Sequence, residues 1–274
     1  MDKVIINNKP IYYYQSNDPV IDYLIKRKGL FGSNNFEVLN TFIKDTEGSI
    51  IDCGAHIGTF AFIPAHNNVN MVLIDGAVRN IQCLRETFRD NPNVIVQEAI
   101  LLDDIKSCTF SSTYGPFGYA QEDSEGLDKS NTLDNILSEY DKPVAAIKYD
   151  IEGNEISAIQ GSLKTLDRYK PPLLIEVNGH CLRLQHKKPY DLFNLLDSIG
   201  YTYYLPTGQG LLGIDKNMKF PFCVTDIICI HKQNISEYNL NIISNLTPDQ
   251  IEQLLKDNYQ TSNEECKKYF DYIS

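Results

Sequence analysis

One segment constrains the fold more than any other: Ile50-Ile51-Asp52-Cys53-Gly54-Ala55-His56-Ile57-Gly58-Thr59-Phe60. A short apolar strand ends in an acid, runs through small residues and enters a helix. Open α/β sheets build nucleoside pockets this way, at the carboxyl ends of their strands. A second apolar run, Met71-Val72-Leu73-Ile74, ends in another acid, Asp75. Carboxylates at two such tips repel phosphate but accept hydrogen bonds from hydroxyls and sit well beside an amine or a sulfonium. Gly54 and Gly58 let backbone approach a ligand. Their G-x-x-x-G spacing lacks the third glycine of a dinucleotide fingerprint, which speaks against a nicotinamide oxidoreductase.

Strands and helices alternate across residues 49–178. Apolar strands are expected at 50–51, 71–74, 94–96, 144–149 and 173–177, and an edge strand at 107–110. Helices are expected at 59–66, 80–88, 132–140 and 155–166. Residues 111–130 are rich in Ser, Gly, Asp and Tyr and read as a long loop. A helix at 190–199 precedes strands at 201–205 and 223–231. The pattern predicts an α/β fold: a mainly parallel, seven-stranded sheet with helices on both faces and an antiparallel edge strand. Residues 1–48 form a cover with a hairpin and two helices, the first capped by Asp18 with Pro19 following. Residues 49–232 form the main domain. Residues 233–274 form a helical tail on which a second copy, another partner or the chain's own domain can dock.

The chain has 274 residues and a net charge of −11, which disfavours a nucleic-acid partner. Its seven cysteines show no zinc spacing and suit reduced thiols in the cytoplasm. Neither a signal peptide nor a membrane span is expected.

Three further motifs carry a resemblance. Ile147-Lys148-Tyr149-Asp150-Ile151-Glu152-Gly153-Asn154-Glu155 follows one strand, Leu174-Ile175-Glu176-Val177 closes another, and Thr132-Leu133-Asp134 precedes the first. With the Asp52–Gly58 turn, their order and spacing resemble the FkbM family of S-adenosylmethionine-dependent methyltransferases over residues 48–205. The resemblance implies a class I Rossmann-like fold and S-adenosylmethionine as cofactor. His56 stands where the family has asparagine, and Asp75-Gly76 where it has Glu-Pro.

On that resemblance, Asp52, Gly54, Ala55, His56 and Gly58 form the turn facing the methionine part. Asp75 takes the ribose hydroxyls and Glu98 the adenine amine. Asp150, Glu176 and His180 are the candidate bases, with loop hydrogen bonding the alternative for His180. Lys148 and Glu152 line the acceptor site, with Tyr114 and Tyr119 on a substrate loop. The implied acceptor is a hydroxyl of a sugar, a glycan or another small natural product. N-methylation of a peptide side chain and a non-catalytic cofactor-binding scaffold are the alternatives. No metal residues are assigned, although Asp150, Glu176 and Asn178 offer oxygens of the kind Mg²⁺ accepts.

Overall fold

The computed structural model describes residues 1–16, 18–30, 33–43, 47–111, 119–214, 224–243, 246–247 and 250. Of the helical tail expected at 233–274, residues 251–274 lie outside them, and the described part includes a short strand, Ile242–Ile243, that pairs into the main sheet.

A hairpin of β1 (Asp2–Ile6) and β2 (Lys9–Tyr13) opens the chain, followed by α1 (Pro19–Arg27) and α2 (Ser33–Asn40). Then come β3 (Ser49–Cys53), α3 (Phe62–His66), β4 (Asn70–Asp75), α4 (Val78–Thr87) and β5 (Val94–Glu98). Four short strands follow: β6 (Ile100–Leu101), β7 (Ser107–Ser111), β8 (Tyr119–Glu122) and β9 (Asp128–Asn131). Next are α5 (Leu133–Ile136), β10 (Val144–Tyr149), α6 (Glu155–Gln160), α7 (Leu163–Tyr169), β11 (Leu173–Asn178), α8 (Gly179–Leu184) and α9 (Pro189–Ser198). Strands β12 (Tyr201–Thr207), β13 (Gly210–Gly213), β14 (Val224–His231) and β15 (Ile242–Ile243) end the described chain.

Among the described residues the main sheet has nine strands, ordered β15-β13-β12-β14-β11-β10-β3-β4-β5. Neighbours from β5 to β11 run parallel. Strand β14 is antiparallel to both β11 and β12. Seven strands form the expected sheet, and β13 and β15 lengthen it. The antiparallel strand is not at the edge as expected: it is wedged between β11 and β12.

Both faces of the central strands are buried. Ile51, Val72, Ile74, Ile147 and Ile175 pack into one core with Ile156, Leu166 and Leu192 from the helices. Their sequence neighbours Ile50, Met71, Leu73, Ala146 and Leu174 pack into the other core. This two-sided burial is why the strands read as continuous apolar runs. Ile11, Leu24, Leu39 and Phe42 of the N-terminal segment complete the second core. Asp18 caps α1 as expected, accepting from Val20 N–H at 2.7 Å.

Two expectations fail for physical reasons. The helix expected at 155–166 is broken into α6 and α7 at Gly161, where a Cβ would lie 2.2 Å from the Leu102 carbonyl oxygen. The stretch read as a loop at 111–130 holds β8 and β9, which pair antiparallel with β7 in a separate small sheet. The apolar cluster at that sheet is small, Cys108 and Ala120 with neighbouring Leu102, and β8 and β9 lack the apolar alternation that marks a strand. The edge strand expected at 107–110 is β7 of this sheet. Among the described residues, no helix is long and apolar enough to cross a membrane.

The Thr132-Leu133-Asp134 motif is an anchor for two helices. Thr132 Oγ1 accepts from Asn135 N–H at 3.0 Å, capping α5. Asp134 crosses to α7 and accepts from Lys164 N–H (2.9 Å), Thr165 N–H (2.8 Å) and the Thr165 hydroxyl (2.7 Å). A carboxylate at a helix N-terminus satisfies orphan donors and opposes the helix dipole. Asp134→Ala should cost about 1–3 kcal/mol, measured as a lower urea midpoint. An unchanged midpoint would show that the cap does not hold α7.

Candidate functional site

A cleft of about 200 Å³ opens where the carboxyl ends of β3, β4, β10 and β11 meet. Its wall includes Gly54, Ala55 and His56 of the first turn, Asp75 and Gly76 of the second, and Lys148, Asp150, Glu152 and Glu176. Ile74, Ala99, Ile100, Leu101 and Phe110 give it an apolar end.

The first turn is held against β10. Gly54 adopts φ +85°, and a Cβ there would lie 1.8 Å from the Asp150 backbone oxygen. Glycine is therefore needed for close packing of two strand tips as well as for conformation. Gly58 (φ +89°) does not line the cleft. A Cβ there would meet Phe88 at 2.7 Å and Leu84 at 3.0 Å, so its missing side chain makes room for α4.

Asp52 is fully buried beneath the turn. Its Oδ1 lies 3.2 Å from Lys148 Nζ, which also reaches Asp150 Oδ2 at 3.0 Å. Burial disfavours the ammonium, but Asp150 and Asp52 together outweigh it and raise the Lys148 pKa. The lysine stays charged, and its Nζ also stands 5.4 Å from the Phe60 ring centre. Asp52 thus shapes the site from below and does not line it.

Asp75 does line it. Its Oδ2 accepts from His56 N–H and its Oδ1 from Ala77 N–H, both at 2.8 Å, with Asn80 Nδ2 at 3.2 Å from Oδ1. Burial raises its carboxyl above the usual range, against the pull of these donors. His56 sits at φ +53°, and its Nε2 lies 2.8 Å from Asp18 Oδ2. The N-terminal segment thereby reaches the turn after β3.

On the opposite wall, Glu152 (φ +54°) and Gly153 (φ +97°) are consecutive left-handed residues. Glu152 Oε2 accepts from Asn178 Nδ2 at 3.3 Å and from the Cys181 thiol at 3.1 Å. Glu176 pairs across strands with Asp226 of β14. Burial, and then the charge of Asp150, lift the Glu176 carboxyl well above its ordinary range. Asp226 is pushed up to about 6, first by burial and then by Asp150. Asn35 Nδ2 donates to Asp226 Oδ2 at 2.6 Å.

Two expected residues fall elsewhere. Glu98 is 45% exposed and lies 3.7 Å from Arg85, away from the cleft wall. Its strand is an edge, so the side chain turns to solvent. His180 is exposed on α8, with Nδ1 3.2 Å from Arg183 Nη2. The helix that starts at Gly179 carries it off the β11 tip. Tyr114 lies outside the described residues, and only the backbone of Tyr119 is described, in β8. Sequence reasoning missed Asn35, Phe110, Ala120 and Asp226, all on the cleft wall. Asp226 had a signal, an acid inside the run Val224-Thr225-Asp226-Ile227-Ile228; the others had none.

Glu155 links the acidic segment to its helix. It is fully buried, and Oε1 accepts from Ile151 N–H (3.0 Å) and Gly153 N–H (3.1 Å). Burial raises its pKa to about 7 despite those bonds. An acid with a raised pKa contributes stability that is full below its unfolded value and is lost as pH rises through the folded one. Glu155→Gln keeps the acceptor oxygen and removes the ionisation. It should therefore be more stable than wild type at pH 8, by up to about 3 kcal/mol. The gap should close toward pH 4.5, as read by denaturant titration. A gap independent of pH would refute the assignment.

The sequence matches the Methyltransferase FkbM domain over residues 52–203. No curated protein matches the chain. Among solved structures it is similar to an FkbM methyltransferase from Methylobacillus flagellatus KT, at 17% identity and a TM-score of 0.44, covering 77% of this chain and 52% of that one. The chain thus spans about half the length of that relative. TYW2 of M. jannaschii, solved in complex with AdoMet, is 13% identical with a TM-score of 0.39, covering 84% of each chain. Precorrin-6y C5,15-methyltransferase from Geobacter metallireducens GS-15 gives 11% and 0.40, covering 72% of this chain and 87% of that one. With the FkbM domain occupying more than half its length, this chain belongs to the FkbM methyltransferase family.

Proposed function

We propose that the chain transfers a methyl group from S-adenosylmethionine to a hydroxyl of a sugar, a glycan or another small natural product. One observation carries this reading: Asp75 and the Gly54–His56 turn line the same cleft as Asp150 and Glu176, within a methyltransferase domain. When bound, S-adenosylmethionine supplies an electrophilic methyl carbon on a sulfonium.

The residues present suit that group. The Asp75 carboxylate is held at the strand tip by three donors and keeps lone pairs for ribose hydroxyls. Ile74, Ala99, Ile100 and Phe110 offer an apolar slot to a purine. Ala55 and Gly54 present backbone to the amino-acid end. The carboxylates across the cleft favour a cation between the walls.

The acceptor side needs alignment, water exclusion and a proton sink. Glu176 meets the last need, because a carboxylate with a raised pKa is a stronger base. Asp150, tied to Lys148, orients the acceptor. Methylation of an amine is the second reading. It is favoured by the four acids Asp150, Glu152, Glu176 and Asp226 on one side of the cleft, which attract a positively charged acceptor.

Asp75→Asn should weaken S-adenosylmethionine binding by roughly 10- to 100-fold in calorimetry. Unchanged affinity would remove Asp75 from the ribose role. Glu176→Gln should keep that affinity and lose about 10²- to 10⁴-fold in turnover. Full activity in that variant would remove it as the base.

A further inference from the structure

We propose that Asp150, Glu152 and Glu176 bind a divalent metal ion that prefers oxygen ligands, Mg²⁺ or Mn²⁺, on the acceptor side of the cleft. Each offers a carboxylate oxygen, and these oxygens all lie within 4.8 Å of one another. Three like charges at that spacing repel strongly in a partly dry site.

Among the described residues, the protein's own groups do not neutralise the cluster. The Lys148 ammonium is divided between Asp52 and Asp150. The donors that hold Glu152, Asn178 Nδ2 and the Cys181 thiol, are neutral and fix its direction without cancelling its charge. Asn178 is therefore committed to Glu152, and its Oδ1 to Cys181 N–H at 3.1 Å. It serves as a support for the cluster, in contrast to the ligand role its sequence position suggested.

A second observation points to an occupant. Glu176 Oε2 is shielded from solvent and has no hydrogen-bond partner among the described residues. A buried polar atom in that state costs about 1–3 kcal/mol or more. A proton would satisfy one carboxylate, whereas a divalent cation takes one oxygen from each of the three, leaving the other Glu176 oxygen as the proton acceptor. The donors are hard oxygens carried by adjacent strand ends, with Tyr149 of β10 opposite Ile175 of β11. Hard, rigidly presented carboxylates select Mg²⁺ or Mn²⁺ over softer ions.

The test uses the purified full-length chain without S-adenosylmethionine and Mn²⁺ as probe. Titration should remove the electron paramagnetic resonance signal of free Mn²⁺ at one site per chain, with Mg²⁺ competing. Glu176→Gln and Glu152→Gln should each weaken uptake by about tenfold or more, with melting curves checking that both variants fold. No uptake by wild type at about 1 mM Mn²⁺ overturns the proposal and leaves a positively charged acceptor for the cluster. Uptake unchanged in both folded variants also overturns it. Calorimetry with S-adenosylmethionine on the same samples separates the two readings, because loss of Mn²⁺ uptake with intact cofactor affinity leaves the methyltransferase reading standing.

Discussion

One ammonium ties the site together. Lys148 reaches from β10 to Asp52 at the tip of β3 and to Asp150 beyond its own strand, and all three groups are drawn partly or wholly out of water. Removing one member of such a buried set typically costs about 3–5 kcal/mol, because the remaining charge is stranded. The pairing brings the two central strand tips into register, where Gly54 has just enough room beside the Asp150 carbonyl. The turn after β3 and the acidic segment are thus one object, locked from below. The geometry of both cleft walls follows from it.

The two walls differ in electrostatic character. On the Asp75 side, the carboxylate is surrounded by donors from backbone and from Asn80, and the adjoining surface is apolar. On the Glu176 side, carboxylates outnumber cations among the described residues, and burial lifts the proton affinities of Glu176 and Asp226. A wall of neutral donors suits hydroxyl-bearing ligands, and a wall of under-neutralised carboxylates suits a cation or a departing proton.

Much of this was legible in the sequence. Asp52, Asp75, Asp150 and Glu176 announced themselves as acids ending or interrupting apolar runs, and strand ends are where open α/β sheets gather their groups. Their division of labour was not legible. Asp52 and Gly58 face the protein's own interior, which depends on packing partners far along the chain. Glu98 and His180 lie close to the right tips, but the edge of the sheet and the onset of α8 turn them outward. Asn35 reaches Asp226 across 191 positions, a contact that no local pattern encodes. The small sheet of β6 to β9 was hidden because it buries so little that its strands stay polar. Local periodicity reports burial, so elements with thin cores pass for loops.

Strand β14 enters the sheet last among its seven central members, yet it does not take an outer place. It slides between β11 and β12, pairing with both. Until residues 224–231 have been synthesised, each of those two strands keeps a row of unsatisfied backbone donors and acceptors. Bare edges of this kind recruit other chains. A ribosome product cut short in the preceding connection would hold most of the apolar core and lack its keystone, which makes such fragments aggregation-prone.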